Sequence, residues 1–256
     1  MIGFLIKKNF FDTWDNIFKI ALLNLGFIAS FTITVFIPSF IPLQLLEMIA
    51  LFAGFLWCFI YLAAAALSLK NISDYGSFGF SDFFANFKSA WSTGLVMGAM
   101  SFFAYALVTL VIPFYLAFES MLALMLAALL FWAFLTAVLA LQFFFAVRFR
   151  LETSIRGAIK KCFIFFFDNP MFCIFSLIHS LFALLLTIPL AFLVPGPAGI
   201  LLFLDEGLRL RLLKYAWLEA NPEANRRKIL WDSLLAEEKE KTGTRSLKNF
   251  IFPWKD

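Results

Sequence analysis

The stretch Ala198-Gly-Ile-Leu-Leu-Phe-Leu-Asp-Glu-Gly-Leu-Arg-Leu-Arg-Leu-Leu-Lys-Tyr-Ala-Trp217 decides how this chain sits in a membrane. Its first seven residues are apolar, and it then meets Asp205, Glu206, Arg209, Arg211 and Lys214. Five other stretches need no such deliberation: Ile20 to Ile37, Met48 to Leu69, Gly94 to Phe118, Met121 to Val147 and Pro170 to Val194. Each is near the roughly 20 apolar residues that cross a hydrocarbon core, and none holds Asp, Glu, Lys or Arg. Whether the chain crosses five or six times therefore turns on Ala198 to Trp217.

Loop charge weighs for six. Lys and Arg are retained on the cytoplasmic side of a membrane. With the N-terminus inside and six crossings, the outer segments are Ser39 to Glu47, Glu119 to Ser120 and Pro195 to Pro197, which carry no Lys or Arg. All 21 basic residues then lie on the cytoplasmic side or in the sixth helix. Five crossings would instead export Arg226, Arg227, Lys228 and the rest of the basic tail.

The composition agrees with a membrane protein. Of 256 residues, 62% are hydrophobic and 15% charged, with a mean hydropathy of +0.89, against about 45–50% and 25% in soluble domains. A soluble enzyme, a nucleic-acid reader and a disordered linker are all poorly matched. The net charge of +4 matters through where its members lie and not through its sum. Cys58, Cys162 and Cys173 show neither C-x-x-C nor zinc spacing and are expected to be buried free thiols. The first apolar run ends without a small-residue cleavage site, so a retained helix is expected, not a cleaved signal.

An internal period organises the spans. Ile37-Pro38, Ile112-Pro113 and Ile188-Pro189 recur at 75 and 76 residues, each at the outer end of an outgoing span. Each outgoing span is also preceded by an amphipathic segment. These carry Phe10, Phe11, Trp14 and Phe18; then Phe80, Phe83, Phe84, Phe87 and Trp91; then Ile155, Ile159, Cys162 and Phe163, with charges interleaved. Spacings of three and four place the apolar members on one helical face, as in helices lying at a membrane interface. The expected fold is all-α: six transmembrane helices forming three similar hairpins, each led by an interfacial helix. The repeats cover about 1–70, 71–150 and 151–219, and 220–256 form a cytoplasmic tail.

Candidate sites follow from charge inside the membrane. Asp205 should lie about 10 Å below the outer boundary at 1.5 Å per residue, where an ionisable group needs a partner or a polar cavity. Asp205 and Arg209, four residues apart, can pair along the helix. His179, the lone histidine, falls midway along the fifth span, and with Asp205, Glu206, Arg209 and Arg211 it forms a candidate intramembrane polar cluster. In the tail, Phe250, Phe252 and Trp254 are candidate anchors for a protein partner, or for docking on this protein's own interfacial helices or lipid. No Walker A loop, H-E-x-x-H, G-x-S-x-G, G-x-G-x-x-G or Cys/His cluster is present, so neither an enzyme nor a cofactor or metal is expected.

The segment Phe11-Asp-Thr-Trp-Asp-Asn-Ile-Phe-Lys-Ile-Ala-Leu-Leu-Asn-Leu25, followed by a span ending in Ile37-Pro38, resembles the start of the YesL-like bacterial membrane proteins. Ser81-Asp-Phe-Phe-Ala-Asn-Phe-Lys-Ser-Ala-Trp91 is similar to the segment before that family's third span. The resemblance covers about Phe10 to Tyr215. It implies a small polytopic protein, often associated with carbohydrate uptake systems, and supplies no catalytic residues. The expectation is a non-enzymatic accessory or scaffold subunit of a membrane complex in the bacterial inner membrane, both termini cytoplasmic, contacting lipids and no nucleic acid. The alternative is a small transporter or a lipid- or solute-binding protein using the polar cluster.

Overall fold

A computed structural model describes residues 1–223, 229–243 and 245. The described residues form helices and connecting turns, with no strand among them. Helix α1 (Ile2–Asp15) leads into α2 (Ile17–Phe36), which ends in a 3-10 turn begun by Pro38. Helix α3 (Gln44–Ser73) returns. Helix α4 (Phe80–Ala106) runs through a π-helical stretch, Leu107–Val111, into α5 (Ile112–Leu116). Then follow α6 (Met121–Leu141), α7 (Phe144–Arg150), α8 (Ile155–Asp168), α9 (Pro170–Thr187) and α10 (Gly196–Ala220). Two short helices, α11 (Trp231–Leu234) and α12 (Ala236–Thr242), belong to the tail.

Five helices among the described residues are long and apolar enough to cross a membrane: Ile17–Phe40, Gln44–Ser73, Phe80–Leu116, Met121–Leu141 and Pro170–Thr187. Their surfaces fit lipid. Only 6% of the most apolar window of Phe80–Leu116 is buried, and side chains such as Phe103 and Met121 point outward. In a soluble protein such a surface would drive aggregation, whereas in hydrocarbon it carries no penalty.

The three segments expected to be interfacial helices differ from one another. Helices α1 and α8 are each 14 residues long and end at Asn16 and Asn169. Both asparagine side chains donate to a carbonyl four residues back, that of Asp12 in one case and Phe165 in the other. The second amphipathic segment, Phe80 to Trp91, is not a separate helix but the first half of α4. Pro113 likewise does not mark a turn. It sits in a continuous helix directly after the π-helical stretch, whose extra residue per turn relieves the clash between the proline ring and the carbonyl four positions earlier.

The tip of the α9–α10 hairpin is fastened to α2. Asn24, fully buried on α2, donates to the carbonyls of Leu193 (2.8 Å) and Pro195 (2.9 Å) and accepts from the Ala198 amide (2.9 Å). The hairpin tip therefore meets α2 twelve residues before Phe36, or about 18 Å short of that end along the helix. The tip is bent tightly: Ala191 and Phe192 both have positive φ, at 53° and 61°. Helix α10 thus starts partway along the bundle, and its charged half emerges beside the end of α3. Asn24→Leu should strip three buried backbone groups of their partners and lower stability by about 2–4 kcal/mol. A lowered thermal midpoint in detergent, with faster amide exchange confined to 188–198, checks it.

Candidate functional site

The charged half of α10 lies where α1, the end of α3, α7 and α12 converge. The carboxylate of Asp205 accepts two bonds from Arg150, one from Nε at 3.1 Å and a shorter one from Nη2. Arg150 also donates to Asp74 (2.8 Å) and to the Ser73 hydroxyl (3.0 Å). Arg209 donates to the same Asp74 oxygen (3.0 Å), to the Ser73 carbonyl, and to Glu238 of the tail (2.7 Å). Asp205 and Arg209 accordingly pair with other helices and not with each other. A guanidinium can serve several oxygens at once because its five donors lie in one plane.

Glu206, one residue on, faces a different set. It is fully buried with Lys8 3.8 Å away, and Lys8, fully buried as well, is hydrogen-bonded to Asp12. Tyr75 joins the two sets. Its ring lies 3.8 Å below the Lys8 ammonium and 5.0 Å from the Arg209 guanidinium, while its hydroxyl donates to Glu238 (2.9 Å) and bonds Thr242 (3.1 Å). Burial and the neighbouring Glu238 carboxylate raise its phenol pKa. The whole assembly opposes three cations, Lys8, Arg150 and Arg209, to five carboxylates, Asp12, Asp74, Asp205, Glu206 and Glu238. It fastens the tail to the body: Lys7 donates to the Gly243 carbonyl (3.2 Å) and Arg245 pairs with Asp15 (2.9 Å).

The remaining candidates lie elsewhere. The Arg211 guanidinium covers the ring of Phe172 at 4.5 Å and faces Trp231 at 5.6 Å. His179 stacks on Phe203, centroid to centroid 3.7 Å, and looks into a cavity of about 580 Å³ between α1, α9 and the hairpin tip. So the five candidates divide: Asp205 and Arg209 share one ion network, Glu206 joins it through Lys8 and Tyr75, and Arg211 and His179 stand apart. Phe250, Phe252 and Trp254 lie outside the described residues. All three cysteines are buried and free, and burial pushes the Cys162 thiol up to about 12, as suits packing and not nucleophilic chemistry. Among the described residues no group of three or more His, Cys, Asp and Glu is placed to hold a metal.

No family model, curated protein or solved structure matches this chain.

Sequence reasoning missed Lys8, Asp74, Tyr75, Arg150 and Glu238 as members of the network. The one legible signal was local: Lys8 and Asp12 are four apart, and the spacing of Leu5, Lys8 and Asp12 puts them on one face of α1.

Proposed function

We propose that this chain is a non-enzymatic multi-pass protein of the bacterial inner membrane that serves as an accessory or scaffold subunit of a membrane complex, with both termini cytoplasmic. The observation that carries this reading is the closed ion network. A transporter needs polar groups that exchange partners with a solute, whereas Asp205, Arg209, Arg150 and Asp74 are bonded to one another and to the tail. Such a network makes one end of the bundle a rigid platform. On it, Asp232, Glu237, Lys239, Glu240 and Lys241 are exposed as a charged surface for another protein.

The topology of the proposal is three hairpins in a loose repeat, the third shorter than the other two. The paired 14-residue helices α1 and α8, each closed by an asparagine, support the repeat. The placing of the α10 charges beside Asp74 and Arg150 supports an even number of passages, so that the positive-inside rule is met whether or not α10 crosses fully. The resemblance to YesL-like proteins points the same way.

Photo-crosslinking in native membranes tests the function. A benzophenone residue at Glu240 should yield one discrete adduct with a second membrane protein. Absence of adducts along the exposed tail, together with solute flux in proteoliposomes that Asp205→Asn abolishes, would establish the transporter reading instead.

A further inference from the structure

The cavity beside His179 gathers several buried polar groups that lack partners. Helix α1 contributes Ile6, Thr13 and Trp14, α9 contributes His179 and Phe182, and Pro195 of the hairpin tip closes the top. At about 580 Å³ it falls within the range of small-ligand sites, roughly 300–1,000 Å³. Three of its lining polar atoms, Asn9 Nδ2, Thr13 Oγ1 and His179 Nδ1, are buried and have no hydrogen-bond partner, and Asn9 also neighbours Glu206. Buried polar groups are nearly always paired, so three unpaired ones at one cavity call for a bound group. The larger crevice between α2, α3 and α4 makes no such demand. Its Tyr61 hydroxyl donates to the Leu23 carbonyl (2.8 Å) and its Trp57 indole to Ser30 (3.3 Å).

The surroundings specify the ligand's chemistry. The rim residues Trp14, Phe182, Leu186 and Leu190 are 43–58% exposed on an apolar flank, so entry is from hydrocarbon and not from water. The His179 ring is held flat against Phe203, which fixes the direction of its Nδ1. A threonine hydroxyl donates, and a neutral imidazole donates from Nδ1 in one tautomer. Together they are complementary to a single oxygen acceptor at the head of an apolar chain. We propose that this cavity binds a carbonyl-bearing lipid, its chain lying against Ile6, Phe182 and Leu186 and its carbonyl oxygen accepting from Thr13 and His179. The carbonyl can come from the ester of a glycerolipid or from the ring of a quinone. This site is independent of the scaffold reading, since it shares no residue with the ion network.

Trp14 on the rim reports the occupant. The full-length protein in mild detergent is titrated with two probes, a phosphatidylglycerol brominated along one acyl chain and a decyl-benzoquinone, both of which quench nearby indoles. Trp14→Phe isolates the share of Trp14. One probe should quench that share saturably, identifying the ester or the ring carbonyl as the source. In the double variant Thr13→Val with His179→Phe, the midpoint should shift about tenfold or more, the loss expected for a hydrogen bond or two. The same variant, without ligand, should unfold at an equal or higher temperature, because it removes two unpaired buried polar atoms. Quenching that is linear in both probes and equal in the two proteins would overturn the proposal, leaving an annular contact or a water-filled void. A variant that loses thermal stability together with binding would overturn it as well, since the two side chains would then be structural.

Discussion

Replacing Lys8 with methionine is expected to destabilise the protein by about 3–5 kcal/mol, the cost of breaking a buried ion pair from one side. Methionine fills nearly the same space, so packing is retained and charge alone is lost. What remains is Asp12 and the fully buried Glu206 without the ammonium beside them, and a Tyr75 ring that has lost the nearest of its cations. Among the described residues neither carboxylate has another cation within ion-pair distance, because Arg150 and Arg209 are engaged with Asp74, Asp205 and Glu238. The expected result is a large fall in the thermal midpoint of detergent-solubilised protein and faster proteolysis of the tail, which α1 helps to hold. A triple variant, Lys8→Met with Asp12→Asn and Glu206→Gln, should recover most of the loss, since a neutral hydrogen-bonding cluster replaces an uncompensated charged one. If Lys8→Met leaves the stability within about 1 kcal/mol of the parent, the range of a surface pair, the buried network does not hold the tail and body together.

How much of this was legible in sequence depends on whether a feature is local. The five apolar spans were, because about 20 consecutive apolar residues have one solution in lipid. The exclusion of soluble folds was legible for the same reason. The partners of Asp205 and Arg209 were not: Arg150 and Asp74 are 55 and 135 residues away, and i to i+4 spacing offered a pairing that the fold does not use. The sequence places Phe10, Phe11, Trp14 and Phe18 on one apolar face of an interfacial helix, and the structure divides that set by turning Phe11 inward and leaving Trp14 and Phe18 exposed. Here Leu5, Lys8, Phe11 and Asp12 face inward, while Ile6 and Trp14 face the lipid flank. Polar groups gather inside a membrane bundle because the outside is oil. The hairpin tip was invisible for another reason. Asn24 looked like one polar residue in an apolar span, and only tertiary contact shows that it holds three backbone groups 169 to 174 residues away.

The second large effect is steric and lies in the most extensive helix pairing, that of α3 with α4. Ala90, Gly94 and Gly98 form a small-residue stripe along α4, spaced by four, the pattern that lets two membrane helices approach at backbone distance. A Cβ on Gly94 would fall 2.4 Å from the Ile60 Cα and 2.7 Å from the Phe59 carbonyl oxygen. Those are backbone atoms of a regular helix and cannot turn aside, so Gly94→Ala must separate the two helices over their whole contact. A Cβ on Gly98 would meet side chains and no backbone: the end of Leu56 at 2.9 Å, which a rotamer change relieves, and the Phe59 Cβ at 3.3 Å, which a shift of a few tenths of an ångström accommodates. Gly94→Ala should therefore lose about 2–3 kcal/mol and Gly98→Ala less than about 1 kcal/mol, although the two glycines differ by one helical turn. Van der Waals contact is the main attraction between helices in lipid, with no hydrophobic force to draw parted helices together again. Separation here also loosens Tyr61, whose hydroxyl ties α3 to α2 at Leu23. A cysteine pair at the α3–α4 crossing should consequently form a disulfide readily in the parent and the Gly98→Ala protein but slowly in Gly94→Ala. Equal cross-linking rates in all three would mean that the helices already stand far enough apart for a methyl group.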